Sequence, residues 1–269
     1  MSAATPEPSQ KSTTIKNSNN EIIPGPTKDI YIEMELHVKN ETPDESGAEL
    51  LEKVREWVHK QPAYIEKPEY WNIHLSDKHL YRFCRARQFK FDKICSMIND
   101  YFTWRNTHLP DRIRWRDVMD QCVTGKVRIA DEPDRFGRPI LILHNEYENS
   151  TDYPNMLKHT LWNIEKATRI MDASPDNISR YVIIMNMSNF SYSNQPPMSV
   201  AREVANALGN SYPERMGTVL ILHAPWLFRA FYAALTVVLD KRTLAKVVFV
   251  KSDAADIEQI IGFFLGPDW

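Results

Sequence analysis

The sequence predicts an α/β protein, with an N-terminal helical subdomain followed by a mostly parallel sheet that is flanked by helices and encloses an apolar pocket. Three observations predict it. Apolar residues in the first third recur at helical spacing. Beyond about residue 122, short apolar runs alternate with longer amphipathic stretches, the rhythm of crossover units that join parallel strands. Those runs are apolar on both faces, so the sheet they build must be covered on both sides.

Residues 1–28 are rich in Ser, Thr, Asn and Pro and have little to bury, and residues 1–40 are expected to be disordered. Residues 41–115 form the helical subdomain. A helix over 44–60 carries an apolar stripe of Leu50, Leu51, Val54, Trp57 and Val58. A second, over 76–89, has Ser76 as N-cap and turns Leu80, Phe83 and Cys84 inward. A third, over 92–108, is capped by Asp92 and buries Ile94, Met97, Ile98, Tyr101 and Phe102. Residues 116–269 form the sheet domain. Strands are expected at 123–130, 139–144, 181–187, 217–223 and 246–250, with helices at 154–172, 198–209, 225–239 and 254–264. Helix 225–239 is the most apolar. It is either a buried core helix or a lid that can swing out onto a membrane surface, hinged near Ala224-Pro225 and Asp240.

Composition excludes several classes. A net charge of −2 provides no global basic field for nucleic acid, so none is expected as a partner. Cys84, Cys95 and Cys122 show no metal-ligand spacing and read as small buried thiols, as in a reducing compartment. The 8 glycines form no nucleotide-binding or nucleophile-elbow pattern. His144, His159 and His223 have no evident nucleophile partner, and His223 reads as a satisfied polar core residue. Neither catalysis nor a cofactor is expected. The N-terminus lacks a secretory pattern and no run of ~18 apolar residues exists, so a cytoplasmic protein is expected.

Four stretches, in order, resemble the CRAL-TRIO lipid-binding family and its phosphatidylinositol-transfer branch. Arg85-Ala86-Arg87-Gln88-Phe89, with Trp104-Arg105 following, is similar to the family's R-A-R-K-F and later W-R. Asp134-Arg135-Phe136-Gly137-Arg138-Pro139 is similar to D-x-x-G-R-P. Tyr212-Pro213-Glu214-Arg215-Met216-Gly217 is followed by Ala224-Pro225. Leu239-Asp240-Lys241-Arg242-Thr243-Leu244-Ala245-Lys246 is similar to L-D-x-x-T-x-x-K.

The resemblance implies the CRAL-TRIO fold and a soluble carrier that exchanges a phospholipid, phosphatidylinositol first, between membranes it visits transiently as a peripheral protein. It assigns the inositol headgroup to Arg87, Glu214, Thr243 and Lys246. The lid helix would face the lipid tails with Phe228, Phe231, Tyr232 and Leu235. The chemistry suits these roles: an arginine fork gives phosphate two charge-assisted bonds, and a lysine neutralises it. Gln88 stands where the family often has Lys, and Asn186 where a strand usually ends in Asp. Tyr181 and Ile183 stand where members that also bind phosphatidylcholine carry hydroxyls, and Ile183 offers none. Two alternatives keep the fold: a carrier of a sterol, tocopherol-like or retinoid ligand, or a membrane-tethering module.

Overall fold

The computed structural model describes residues 43–265, apart from 177, 238, 240 and 251–253. The segment expected to be disordered, 1–40, and the expected hinge at Asp240 lie outside the described residues.

The chain begins with α1 (Glu45–His59), whose N-cap Asp44 accepts a hydrogen bond from the backbone of Gly47 at 2.7 Å. Leu51, Val54 and Val58 are buried, as the stripe predicts. Two short helices follow, α2 (Pro62–Glu66) and α3 (Pro68–His74), each opened by a proline at its first turn. They are too short for periodicity to reveal. Trp71 on α3 is nonetheless fully buried, with its ring edge-on to Phe102 at 4.6 Å.

Helices α4 (Asp77–Ala86) and α5 (Phe91–His108) complete the subdomain. Their expected inward residues are buried, and Ser76 holds the N-cap position of α4 without a side-chain cap bond, whereas Asp92 is not a cap. The Ser76 hydroxyl bonds His79 Nδ1 at 2.7 Å, and Asp92 lies inside the first turn of α5, behind Lys90. Cys84 and Cys95 are buried free thiols, and desolvation raises them to about 12 and about 11, which keeps them unreactive. Cys122 is only half-buried.

Where a strand over 123–130 was expected, α6 (Trp115–Cys122) runs first and β1 (Val127–Ile129) is short. Gly125, at a φ of 72°, makes the turn between them. The remaining elements are β2 (Ile140–His144), α7 (Tyr153–Ala173), β3 (Tyr181–Asn186), α8 (Met198–Asn206), β4 (Met216–Leu222), α9 (Trp226–Leu235), α10 (Lys241–Ala245), β5 (Val247–Phe249) and α11 (Ala254–Leu265). The strands form one sheet in the order β1-β2-β3-β4-β5, with β1 antiparallel and the rest parallel.

The sheet has two apolar faces. Ile140, Val182, Ile184, Leu220 and Leu222 pack against Ile261 and Phe264 of α11. Leu141, Ile183, Val219 and Ile221 point the other way, toward α7 and α9. At the edge, Asp134 Oδ1 accepts from the backbones of Phe136 (2.9 Å) and Arg138 (2.8 Å), and its Oδ2 from Arg138 Nε at 2.7 Å. Gly137 supplies the positive φ. The D-x-x-G-R-P stretch is thus a self-bonded turn that aims the chain into β2.

The two subdomains meet at a buried ion pair. Arg105 Nη1 donates to Glu165 Oε1 of α7 at 2.9 Å, with both side chains withdrawn from solvent. Tyr212 donates to the same carboxylate at 2.8 Å, and Arg105 Nε donates to the Tyr70 hydroxyl at 2.9 Å. The arginine after Trp104 therefore fastens the helical subdomain to the sheet domain. Removing one partner strands a buried charge. Glu165→Ala is expected to lower unfolding free energy by roughly 3–5 kcal/mol, measured by urea denaturation. Glu165→Asp should lose less.

Candidate lipid-binding site

A cavity of about 600 Å³ lies on the face of the sheet opposite α11. Its floor is Leu143, Ile183, Met185, Val219, Ile221 and Val247. These positions alternate with those that face α11, because strand side chains alternate faces. Its roof is α8 and α9.

Helix α9 is shorter than expected, since Thr236 already accepts the role of C-cap. The expected lid residues Phe228, Phe231, Tyr232 and Leu235 all line the cavity. Phe228 sits edge-on to Phe190 at 5.1 Å, and Tyr232 edge-on to Phe249 at 5.1 Å. The opposite side of the helix meets solvent with Trp226, Arg229, Ala230 and Ala233. Trp226 is 73% exposed and, just past the helix end, Val237 is 84% exposed. His223, expected in the core, is exposed and left-handed (φ 51°); it forms the corner between β4 and α9.

At one end of the cavity, where β4 and β5 begin, Arg87, Glu214, Thr243 and Lys246 all line the wall, with Gln88 beside them. Local structure explains how. The α4–α5 turn places Gln88 and Phe89 in the left-handed region, at φ 52° and 58°. That sharp turn aims Arg87 across to Asn210, whose Oδ1 accepts from Arg87 Nη2 at 2.9 Å. Asn210 belongs to a π-helical turn, Ala207–Ser211, that ends α8. Glu214 is left-handed as well (φ 58°). Gly217 is needed because a Cβ there would meet the Tyr181 carbonyl oxygen at 2.9 Å.

Lys246 Nζ donates to the Met216 carbonyl at 3.0 Å and stands 3.9 Å from Glu214 Oε2. The nearer partner of that carboxylate is Arg180, whose Nη2 donates at 2.8 Å. Arg180 was not singled out from the sequence. It directly precedes β3, in no motif, and only the fold brings it to Glu214. The arginine of Pro213-Glu214-Arg215 serves packing instead. Arg215 Nη2 donates to Asp172 at 2.5 Å and to His79 Nε2 at 3.0 Å. The Asn186 side chain accepts from Ser188, closing the end of β3. Tyr181 is fully buried, and Ile183 is cavity floor.

The far end of the cavity, at β1 and the end of β2, is also polar. Lys126 Nζ donates to Glu148 Oε1 at 2.7 Å, beside His144 and Asn145.

An α/β domain with an apolar cavity, a helical roof and a charged mouth defines the class. The match to known families then identifies it. The model of the CRAL/TRIO domain matches residues 124–262, and that of the CRAL/TRIO N-terminal domain matches residues 48–100. The chain belongs to the CRAL/TRIO family. It is 25% identical over 190 residues to a CRAL-TRIO domain-containing protein of Schizosaccharomyces pombe, covering 71% of this chain and 18% of that protein. It is 22% identical over 231 residues to clavesin-1 of Rattus norvegicus, covering 82% of this chain and 62% of that one. Patellin-3 of Arabidopsis thaliana is 25% identical over 220 residues, 75% of this chain and 44% of that protein. The chain thus spans less than two thirds of these relatives. The crystal structure of Sfh5 shares the fold, with a TM-score of 0.61 at 13% identity over 77% of this chain and 81% of that one.

Burial lowers His79 to about 4, helped by the charges of Arg82 and Arg215, and His74 falls to about 4 through burial and Arg105. Both rings are neutral in the folded state. An unfolded histidine takes up its proton near 6.5, so the unfolded chain binds more protons between pH 6.5 and 4. Stability is therefore expected to be flat above pH 6.5 and to fall as pH drops from 6.5 toward 4, read from urea midpoints. His79→Gln should flatten part of that slope.

Proposed function

We propose that the protein is a non-catalytic lipid carrier that encloses one membrane lipid, with phosphatidylinositol the preferred cargo, and exchanges it between membrane surfaces. The observation that carries this is an apolar cavity lined at one end by Arg87, Glu214, Thr243 and Lys246. Exposing a diacyl lipid's roughly thirty methylenes to water would cost about 25 kcal/mol at ~0.8 kcal/mol each. A cavity as apolar as the bilayer removes most of that barrier, and headgroup bonds then select the cargo.

Lys246 neutralises phosphate, Arg87 adds its fork, and Thr243 offers a hydroxyl. Glu214, held by Arg180, accepts from ring hydroxyls. Helix α9 opens as the lid, and its outward Trp226 and neighbouring Val237 enter the membrane interface while the tails slide across. The relatives' matched domain supports the carrier reading. Among the described residues no helix is long and apolar enough to cross a membrane, so a transient surface visit is the proposed mode.

A second reading, a carrier of a sterol, tocopherol-like or retinoid ligand, is favoured by one observation. At about 600 Å³ the cavity falls within the ~300–1,000 Å³ range of pockets that hold one small molecule. A diacyl lipid is larger, so on the first reading α9 stands further out when cargo is bound.

Lys246→Ala is expected to weaken phosphatidylinositol binding about tenfold to a hundredfold, since a hydrogen bond to a charged group contributes roughly 1.5–3 kcal/mol. Vesicle transfer of labelled phosphatidylinositol measures it. Unchanged transfer by a Lys246→Ala/Arg87→Ala double variant would remove the basis of the phosphatidylinositol reading and leave the smaller ligands. A disulfide that locks α9 to the sheet should stop transfer, and its reduction should restore it.

A further inference from the structure

We propose that the cavity has a second recognition point at its β1–β2 end, which takes a neutral oxygen group, a hydroxyl or a carbonyl, carried on the ligand's hydrocarbon part. This rests on the lipid-carrier reading and specifies the cargo further.

Lys126 directly precedes β1, lines the cavity, and has a side chain only 2% exposed. An ammonium group carries three N–H donors. Among the described residues its one hydrogen-bond acceptor is Glu148 Oε1, at 2.7 Å. That oxygen is already held by the backbone N–H groups of Asn149 (3.1 Å) and Ser150 (3.0 Å), so the loop fixes it in place. Asn145, which also lines the cavity, has an Nδ2 shielded from solvent with no hydrogen-bond partner, and the neighbouring His144 Nδ1 stands 3.6 Å from Glu146 Oε1. Unmet hydrogen-bonding capacity is rare in buried positions and costly. Here Lys126 and Asn145 both line one end of an otherwise apolar cavity. A wall that meets only hydrocarbon has no use for them, because an apolar pair would serve as well as a buried ion pair.

Charge decides which group fits. Lys126 and Glu148 together are neutral. A second anion would leave one ammonium between two negative charges in a low-dielectric wall. A neutral oxygen accepts from Lys126 and Asn145 without that penalty. Reach fits as well. The charged end lies at the start of β4 and β5, three to four strand spacings across at ~4.8 Å each and about six residues along the strands at ~3.3 Å each, or roughly 25–28 Å on the diagonal. A long-chain lipid with its headgroup at the mouth therefore brings the distal third of its chain to Lys126.

The test uses the purified full chain and two probes, octadecanoyl lysophosphatidylinositol and the same lipid hydroxylated in its distal third. Each displaces a fluorescent phosphatidylinositol. The wild type is expected to bind the hydroxylated probe about tenfold more tightly. A Lys126→Met/Glu148→Gln double variant, neutral and similar in shape, should bind both probes equally and the plain one as the wild type does. If that variant fails to fold, Asn145→Leu should still reduce the preference severalfold. Equal binding of both probes by the wild type, or a preference undiminished in the variants, overturns the subsite. Failure of both probes to displace the fluorescent lipid contradicts the carrier reading instead.

Discussion

A sheet whose strands are apolar on both faces must have both faces covered, and this constraint shapes the rest of the structure. Helix α11 covers one face through Ile261 and Phe264. On the other face the roof, α8 and α9, stands off the floor, leaving about 600 Å³ between them. The aromatic contacts of Phe190, Phe228, Tyr232 and Phe249 close one side of that gap. Phe190 and Phe228 are themselves buried in the core on this face, so the ring contacts hold the roof helix to it. The outer side of the same helix exposes Trp226 beside Arg229, Ala230 and Ala233.

The charged groups follow a division of labour. Those tying the two subdomains together are buried arginines held by carboxylates: Arg105 by Glu165, and Arg215 by Asp172 with His79 beside it. Those at the mouth sit on strained or irregular backbone, with Gln88, Phe89 and Glu214 left-handed and Asn210 in a π-helical turn. Strain of this kind persists where the surrounding structure holds it, and it clusters at ligand sites. The first set fixes where the second set stands.

Much of this was legible in the sequence because burial writes a periodic pattern. The long helices and the strands from residue 139 onward fall close to where apolar spacing puts them. Elements that periodicity cannot resolve were missed: α2 and α3 at one or two turns, and α6, where Val123 looked like the start of a strand. Helix α9 was expected to run to 239 because apolar character continues past Leu235, where its backbone stops being helical. The lining positions Arg87, Glu214, Thr243 and Lys246 were readable because they recur in linear motifs. Arg180 and the Lys126–Glu148 pair were not, since nothing local marks a residue whose partner lies some twenty or more positions away. His223 was misplaced for a related reason, because its left-handed corner is a backbone property that side-chain type does not announce.

The central claim is that the cavity exists to hold a lipid. The most direct measurement is mass spectrometry of an organic extract of the purified protein. The account predicts close to one lipid per chain, with an inositol phosphate headgroup. A chain that carries no hydrophobic molecule, and takes none up from phosphatidylinositol-containing vesicles, would contradict it.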